Sequence, residues 1–154
     1  EKTKYKNNVA AIRLLKQLET EGRRATPSEQ DVLAGFNGWG PVKSAFSNDP
    51  KWSKENKELH EILTKEEYYA AAKAALNAFY TPLDVIKSIW KGVERLGFKS
   101  GRVLDPSMGT GNFFGMMPKE MMAGSNLHGV ELDPLTAKIA KQLYQKADIH
   151  QSAG

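Results

Sequence analysis

The last third of the chain alternates short apolar segments with helix-forming segments, and this alternation most restricts how it can fold. The strand-like segments are "RVLD" (102–105), "LHGVEL" (127–132) and "ADIH" (147–150). A short helix is predicted near 112–117, and an i+4 apolar repeat predicts another over about 135–143. Such alternation is typical of parallel strands joined by crossover helices. We therefore predict an α/β fold with half of a doubly wound, Rossmann-like sheet.

The residues before this region predict helices. An apolar stripe predicts a helix from about Asn8 to Gly22, and the capping box Thr26-Pro27-Ser28-Glu29 predicts a second. Another capping box at 64–67 opens an alanine-rich helix, and Thr81-Pro82 is expected to cap a further one. Between them, "GFNGWGP" (35–41) predicts a loop whose tryptophan packs the helices onto the sheet. We expect a helical region at 1–78 and an α/β region at 79–154.

Composition excludes several classes of protein. The 154 residues include no cysteine, which excludes disulfides and thiolate metal sites and fits a reducing, cytoplasmic location. No stretch approaches the roughly 20 apolar residues that cross a bilayer, and the three histidines lack metal-ligand spacing. Residues 1–24 hold seven Lys and Arg against three Glu, which equals the whole net charge of +4. Such a segment could contact nucleic acid phosphates, or form a solvated helix face.

The loop "LDPSMGTGNFFG" (104–115) follows the first strand. Ligands of parallel α/β sheets bind beyond the carboxyl ends of the strands, where loop amides face them. Glycine at 109 and 111 would allow positive φ and close approach of a ligand, although a tight turn without a ligand has the same composition. A dinucleotide fingerprint would need a third glycine where Phe114 stands, and no phosphate-cradling G-x-x-x-x-G-K-[ST] motif occurs.

Three further features could complete a nucleoside site. Glu131 closes the second strand 26 positions after Asp105, near the spacing of about 20 at which an acid meets a ribose. Asp148 and Ile149 are interpreted as the end of the third strand, able to accept from an adenine amine and to cover its ring. Tyr80-Thr81-Pro82 places a hydroxyl at a helix start. Each also has an ordinary structural explanation, but we expect Asp105, Glu131 and Asp148 to surround one cleft.

The segments "NAFYTP" (77–82), "VLDPSMGTGNF" (103–113), "GVELDP" (129–134) and "ADI" (147–149) occur in an order that resembles one enzyme family. They look like the cofactor-binding motifs of S-adenosylmethionine-dependent amino-methyltransferases, in particular the DNA adenine-N6 methyltransferases. The whole chain, including "EQDVLAGFNGWG" (29–40), is similar to the N-terminal part of large methylase and helicase-like proteins of phages and mobile elements.

The resemblance implies S-adenosylmethionine as the cofactor and DNA as the partner. Thr81 and the loop 105–111 would hold the methionine end, Glu131 the ribose hydroxyls, and Asp148 with Ile149 the adenine, with Asp133 as a second candidate for the ribose. The implied cofactor-binding set is Tyr80, Thr81, Pro82, Asp105, Pro106, Ser107, Gly109, Gly111, Asn112, Phe113, Glu131, Leu132, Asp148 and Ile149.

The family's catalytic tetrapeptide, [DNS]-P-P-[YFW], does not follow these motifs. Its polar side chain and a proline carbonyl would accept from the target amine, and its aromatic ring would stack on an extruded base. The nearest match, Asp49-Pro50-Lys51-Trp52, lacks the second proline and is interpreted as a loop. We therefore assign no catalytic residue and expect an inactive N-terminal fragment, whose unpaired sheet edge favours self-association.

Other interpretations remain open at this point. The chain could be a non-catalytic module that binds S-adenosylmethionine or nucleic acid within a larger helicase-like protein. The motifs do not separate adenine in DNA from cytosine-N4, RNA or protein-glutamine amines. A nicotinamide-dependent oxidoreductase is disfavoured by Phe114.

Overall fold

The computed structural model describes residues 1–77 and 80–152, in which a helical region precedes a small parallel sheet. The helical region contains α1 (Lys2–Glu21), α2 (Pro27–Ala34), 3-10 turns at Gly40–Phe46 and Pro50–Trp52, α3 (Ser53–Ile62) and α4 (Lys65–Asn77). The α/β region contains α5 (Leu83–Arg95), β1 (Arg102–Asp105), α6 (Asn112–Gly115), α7 (Lys119–Ala123), β2 (Asn126–Glu131), α8 (Pro134–Leu143) and β3 (Asp148–Gln151). Ala78 and Phe79 of the "NAFYTP" motif, and with them the expected boundary between regions, lie outside the described residues.

The three strands lie in the order β1-β2-β3 and all run parallel. Asp105 pairs in register with Gly129, and Glu131 pairs with Gln151. Helix α8 connects β2 to β3, as a crossover connection requires. The predicted α/β fold, with helices preceding a parallel sheet, is confirmed.

Most predicted helix signals are confirmed at the atomic level. Gly22 ends α1 in the left-handed conformation, with φ of 63°. In the first capping box, Thr26 N donates to Glu29 Oε2 (2.8 Å) and Glu29 N donates to Thr26 Oγ1 (3.4 Å). The box at Thr64 and Glu67 has the same two hydrogen bonds. Thr81 was expected to cap α5, but this is wrong because Pro82 occupies the N-cap position. The Thr81 hydroxyl is therefore not used to start the helix.

Two hydrophobic cores meet at α8. The first joins α1 to α4 and includes Leu135 and Ile139 of α8. The second lies between α5, the glycine loop and the sheet, and includes Ala140. Trp39 is 2% exposed, and its Nε1 donates to Asp133 Oδ2 at the start of α8 (3.1 Å). This tryptophan therefore packs the helical region against the start of α8, and direct packing onto the strands stays a prediction.

The basic segment 1–24 is mostly the packed helix α1 rather than a free arm. Lys2, Arg13 and Lys16 form ion pairs with glutamates of α3 and α4, and Arg23 pairs with Glu29. These pairs use four of the seven positive charges internally, so contact with nucleic acid remains a prediction. Across residues 1–77 and 80–152, no helix combines the length and apolarity needed to cross a membrane.

Candidate cofactor-binding cleft

A cleft of about 680 Å³ lies between α4 and the carboxyl edge of the sheet. The glycine loop (107–113) and the residues that follow β2 (131–134) form one side. Helix α4 and the Gly38-Trp39 dipeptide form the other. A volume in the range of about 300–1,000 Å³ is typical of small-molecule and cofactor sites.

Glu131 lies at the end of β2 and connects the two loops of this cleft. Its Oε2 accepts a hydrogen bond from Gly109 N (2.8 Å), and its Oε1 accepts one from Asp133 N (2.8 Å). An ionised carboxylate has about four lone-pair sites, so each oxygen retains one acceptor site for a ligand. Two acceptors on one rigid carboxylate match a vicinal diol.

The two glycines of the loop have different surroundings. A β-carbon on Gly109, whose φ is +55°, would meet no atom within 4 Å. That direction is open for a ligand. A β-carbon on Gly111 would overlap the Tyr144 ring, whose hydroxyl donates to Gly111 O (2.8 Å). Packing against Tyr144 therefore explains Gly111, which does not line the cleft.

Asp133 is 5% exposed and caps α8 at the wall of the cleft. Its Oδ2 accepts from Trp39 Nε1 (3.1 Å), Thr136 N (2.9 Å) and Thr136 Oγ1 (2.6 Å). Its Oδ1 is buried and has no hydrogen-bond partner among the described residues. The Asp133 side chain thus serves mainly to cap α8 through Oδ2, and Oδ1 does not take part in the cap.

The expectation that Asp105, Glu131 and Asp148 surround one cleft is wrong. Only Glu131 lines it. Asp105 ends β1, but its Oδ2 is buried without a partner in the part of the chain that the structure describes, and burial raises the pKa of the carboxyl group. Its Oδ1 accepts from Ser107 N (3.2 Å), which stabilises the turn.

Asp148 begins β3 rather than ending it, because the strand runs over Asp148–Gln151 and its carboxyl end is at Gln151. It pairs in register with His128, three residues before the carboxyl end. Its carboxylate contacts His128 Nδ1 (3.5 Å) and His150 Nε2 (3.2 Å). Ile149 is buried in the second core. Gln151 occupies the strand end beside Glu131 and lines the cleft.

The cleft brings together eight of the predicted site residues: Tyr80, Thr81, Ser107, Gly109, Asn112, Phe113, Glu131 and Leu132. The other six do not line it: Pro82, Asp105, Pro106, Gly111, Asp148 and Ile149. Pro82 borders a neighbouring cleft that shares Tyr80 and Thr81.

Sequence reasoning missed the contribution of the helical region to this cleft. Besides Gly38 and Trp39, helix α4 contributes one face: Glu66, Ala70, Lys73, Ala74 and Asn77. These positions repeat at intervals of three and four, so the helical period places them together. The sequence signal that could have indicated this contribution is the stripe of polar and alanine residues on α4, opposite its apolar face.

The charges of the cleft have a net negative sign. Three carboxylates line it, from Glu66, Glu131 and Asp133, against the single lysine Lys73. A site with this excess favours a cationic ligand over one that carries phosphates. Helix α6 behind the loop is only four residues long, so it adds little of the dipole that pyrophosphate sites use.

Together, a three-stranded parallel sheet, a glycine loop after β1 and an acid at the end of β2 define a Rossmann-like α/β protein with a cleft at the carboxyl ends of its strands. A family model described as N-6 DNA Methylase matches residues 58–151, more than half of the chain, and the chain belongs to this family. The match extends from α3 to the end of β3. A search of curated proteins and a search of solved structures found no significant match.

Proposed function

We propose that this chain binds S-adenosylmethionine as part of a DNA adenine-N6 methyltransferase. Membership of the N-6 DNA methylase family supports a methyltransferase that acts on DNA. The observation that carries the cofactor assignment is the Glu131 carboxylate, fixed by Gly109 N and Asp133 N at the mouth of the cleft. Both of its oxygens keep an acceptor site, which a ribose 2′,3′-diol would fill.

The residues present fit this cofactor on two further grounds. Its sulfonium and ammonium groups outweigh its single carboxylate, so it carries a net positive charge that suits the acidic cleft. The open direction at Gly109 allows a ligand to approach the loop backbone. A dinucleotide with two phosphates lacks the favourable charge, and fully buried Phe114 fills the position of the third fingerprint glycine.

The bound cofactor would supply an activated methyl group. Glu131 would orient the ribose, and Thr81 with the loop residues 107–110 would hold the methionine end. Leu132, which is 57% exposed, presents apolar surface next to Glu131 and would cover one face of the adenine. Gln151 replaces Asp148 in our assignment as the polar group near the adenine, because it lies at the strand end beside Glu131.

We further propose that the base-binding tetrapeptide is supplied from outside this chain. The sequence has seven prolines, of which no two are adjacent, so no [DNS]-P-P-[YFW] occurs. The Trp52 side chain of the nearest match is 5% exposed under Lys2 and is not free to stack on a base. The chain alone should therefore not methylate DNA. The same observation favours the second candidate, a non-catalytic cofactor- or nucleic-acid-binding module of a helicase-like protein.

Two assignments about organisation accompany this proposal. The division into a helical region (1–78) and an α/β region (79–154) is supported by the two hydrophobic cores. Self-association through β1 is supported by its position at the edge of the described sheet and by Leu104, which is 62% exposed.

Calorimetric titration with S-adenosylmethionine tests the cofactor assignment. We expect the wild-type chain to bind, the Glu131→Ala variant to lose at least tenfold in affinity, and the Asp148→Ala variant to bind like wild type. The second variant is the matched control, because it removes an acid of the same sheet from outside the cleft. Melting temperatures show whether each variant is folded. Absence of heat for the wild-type chain, or tighter binding of NAD, would refute the proposal.

A further inference from the structure

The backbone of the segment Phe36–Gly40 in the helical region is hydrogen-bonded to a buried asparagine. Asn8 of α1 is 1% exposed. Its Nδ2 donates to Gly38 O (2.8 Å), and its Oδ1 accepts from Asn37 N (2.7 Å). Both ends of a buried amide are thus paired with the backbone of one short segment, which fixes its position.

The backbone of this segment fits against the side chain of Tyr80. Gly38 has φ of +69°, and a β-carbon there would overlap the Tyr80 hydroxyl and lie 3.0 Å from Cζ. Burial raises the pKa of Tyr80, and the Glu131 carboxylate adds to this shift. Thr81, the next residue, lines the cleft together with Tyr80.

The other contact of the segment is with the opposite wall of the cleft. Trp39 Nε1 donates to Asp133 Oδ2 (3.1 Å), and Asp133 N donates to Glu131 Oε1 (2.8 Å). One five-residue segment therefore touches Tyr80 on one side and the Asp133–Glu131 pair on the other. Tyr80 precedes Thr81 in the chain, and Asp133 is hydrogen-bonded to Glu131, so the segment contacts a neighbour of each proposed ligand-binding residue.

We propose that the Phe36–Gly40 segment is a positioning element of the cofactor site, in which Gly38 seats Tyr80 and Trp39 fixes Asp133. This inference rests on the proposed binding of S-adenosylmethionine. Gly38 and Trp39 act through Tyr80, Asp133 and Glu131. The helical region is accordingly part of the cofactor site, and changes within it alter affinity for the cofactor.

A double-mutant cycle on Gly38 and Tyr80 tests the contact between these two residues, here called the seat, in the full 154-residue chain. We expect Gly38→Ala to weaken S-adenosylmethionine binding about tenfold or more, the size typical of groups that support a binding residue. Tyr80→Phe removes the atom that the new methyl group overlaps, so the double variant should recover most of the loss. Gly22→Ala is the matched control. Gly22 has a similar φ of +63° but no atom within 4 Å of an added β-carbon, so this variant should bind like wild type.

The same four proteins are compared by melting temperature without cofactor, which reports on the seat independently of binding. Additive effects of Gly38→Ala and Tyr80→Phe on both melting temperature and affinity would overturn the seat. Coupling in melting temperature but not in affinity would overturn its role in positioning. If the wild-type chain binds and Glu131→Ala does not, but Gly38→Ala binds normally, this inference alone fails. If the wild-type chain does not bind, the proposed function fails.

Discussion

Replacing Gly109 with alanine distinguishes an effect on ligand binding from an effect on folding. Its φ is +55°, and a β-carbon added there would face open space. The substitution keeps the backbone amide that donates to Glu131. It adds one methyl group in the direction from which the cofactor is proposed to approach.

The cost to stability follows from the backbone alone. A non-glycine residue in the left-handed region costs about 1–2 kcal/mol, and no packing contact is lost or forced. For a chain of this length, about 1 kcal/mol lowers the melting temperature by roughly 2–4 °C, so we expect a loss of about 2–8 °C. The matched substitution Gly22→Ala, at φ of +63° with the same open surroundings, should cost a similar amount.

The cost to binding should differ between the two variants. A methyl group that displaces the cofactor from the loop should weaken binding by at least about tenfold, or about 1.4 kcal/mol. Titration calorimetry and thermal unfolding on the same samples give both quantities. Equal affinity of the Gly109→Ala and Gly22→Ala variants would refute the interpretation of Gly109 as a ligand-facing position, whatever their stabilities.

Three further changes test the surroundings of the cleft. Trp39→Phe removes the indole donor to buried Asp133, and should lower the free energy of unfolding by about 2 kcal/mol in urea denaturation; a loss below about 0.5 kcal/mol would contradict this. Asp105→Asn should raise the melting temperature at pH 7. In the wild-type chain, burial raises the pKa of this carboxyl group in the folded state, so ionisation costs stability as the pH rises above the ordinary pKa of 3.8. The cost is complete above the raised pKa, and asparagine does not carry it. This gain should disappear at low pH, and a gain that is constant with pH would show another cause. Leu104→Lys should increase the monomer fraction in sedimentation if chains pair through β1; an unchanged distribution would refute pairing at that edge.

The parts of the fold that were predictable from sequence are those with strong local signals. The capping boxes at Thr26 and Thr64 and the stop at Gly22 depend on hydrogen bonds within a few residues, and they form as expected. The parallel sheet was predicted from the alternation of strand-like and helix-forming segments along the chain. Rules on how strands are connected leave few possible arrangements for such a pattern. Glu131 was expected to close the second strand, and it is the last residue of β2.

The errors occurred where local pattern is weak or where distant parts of the chain meet. A four-residue strand such as β3 has no clear alternation, so its end was placed before Gln151 and Asp148 was assigned to the wrong edge. The pairing of Gly111 with Tyr144 joins residues 33 positions apart. Likewise, the contacts of Asn8 and Trp39 with the cleft walls depend on tertiary packing that no short motif encodes.

Helix α8 carries a consequence for how proteins of this kind could be recombined. One of its sides is covered by the helical region and another by the sheet. A gene fusion that exchanged α1 to α4 for an unrelated segment would leave Leu135 and Ile139 facing water, and Asp133 without its indole donor. Module exchange would therefore require compensating substitutions within α8 itself, so the helical region and the parallel sheet should be inherited as a unit.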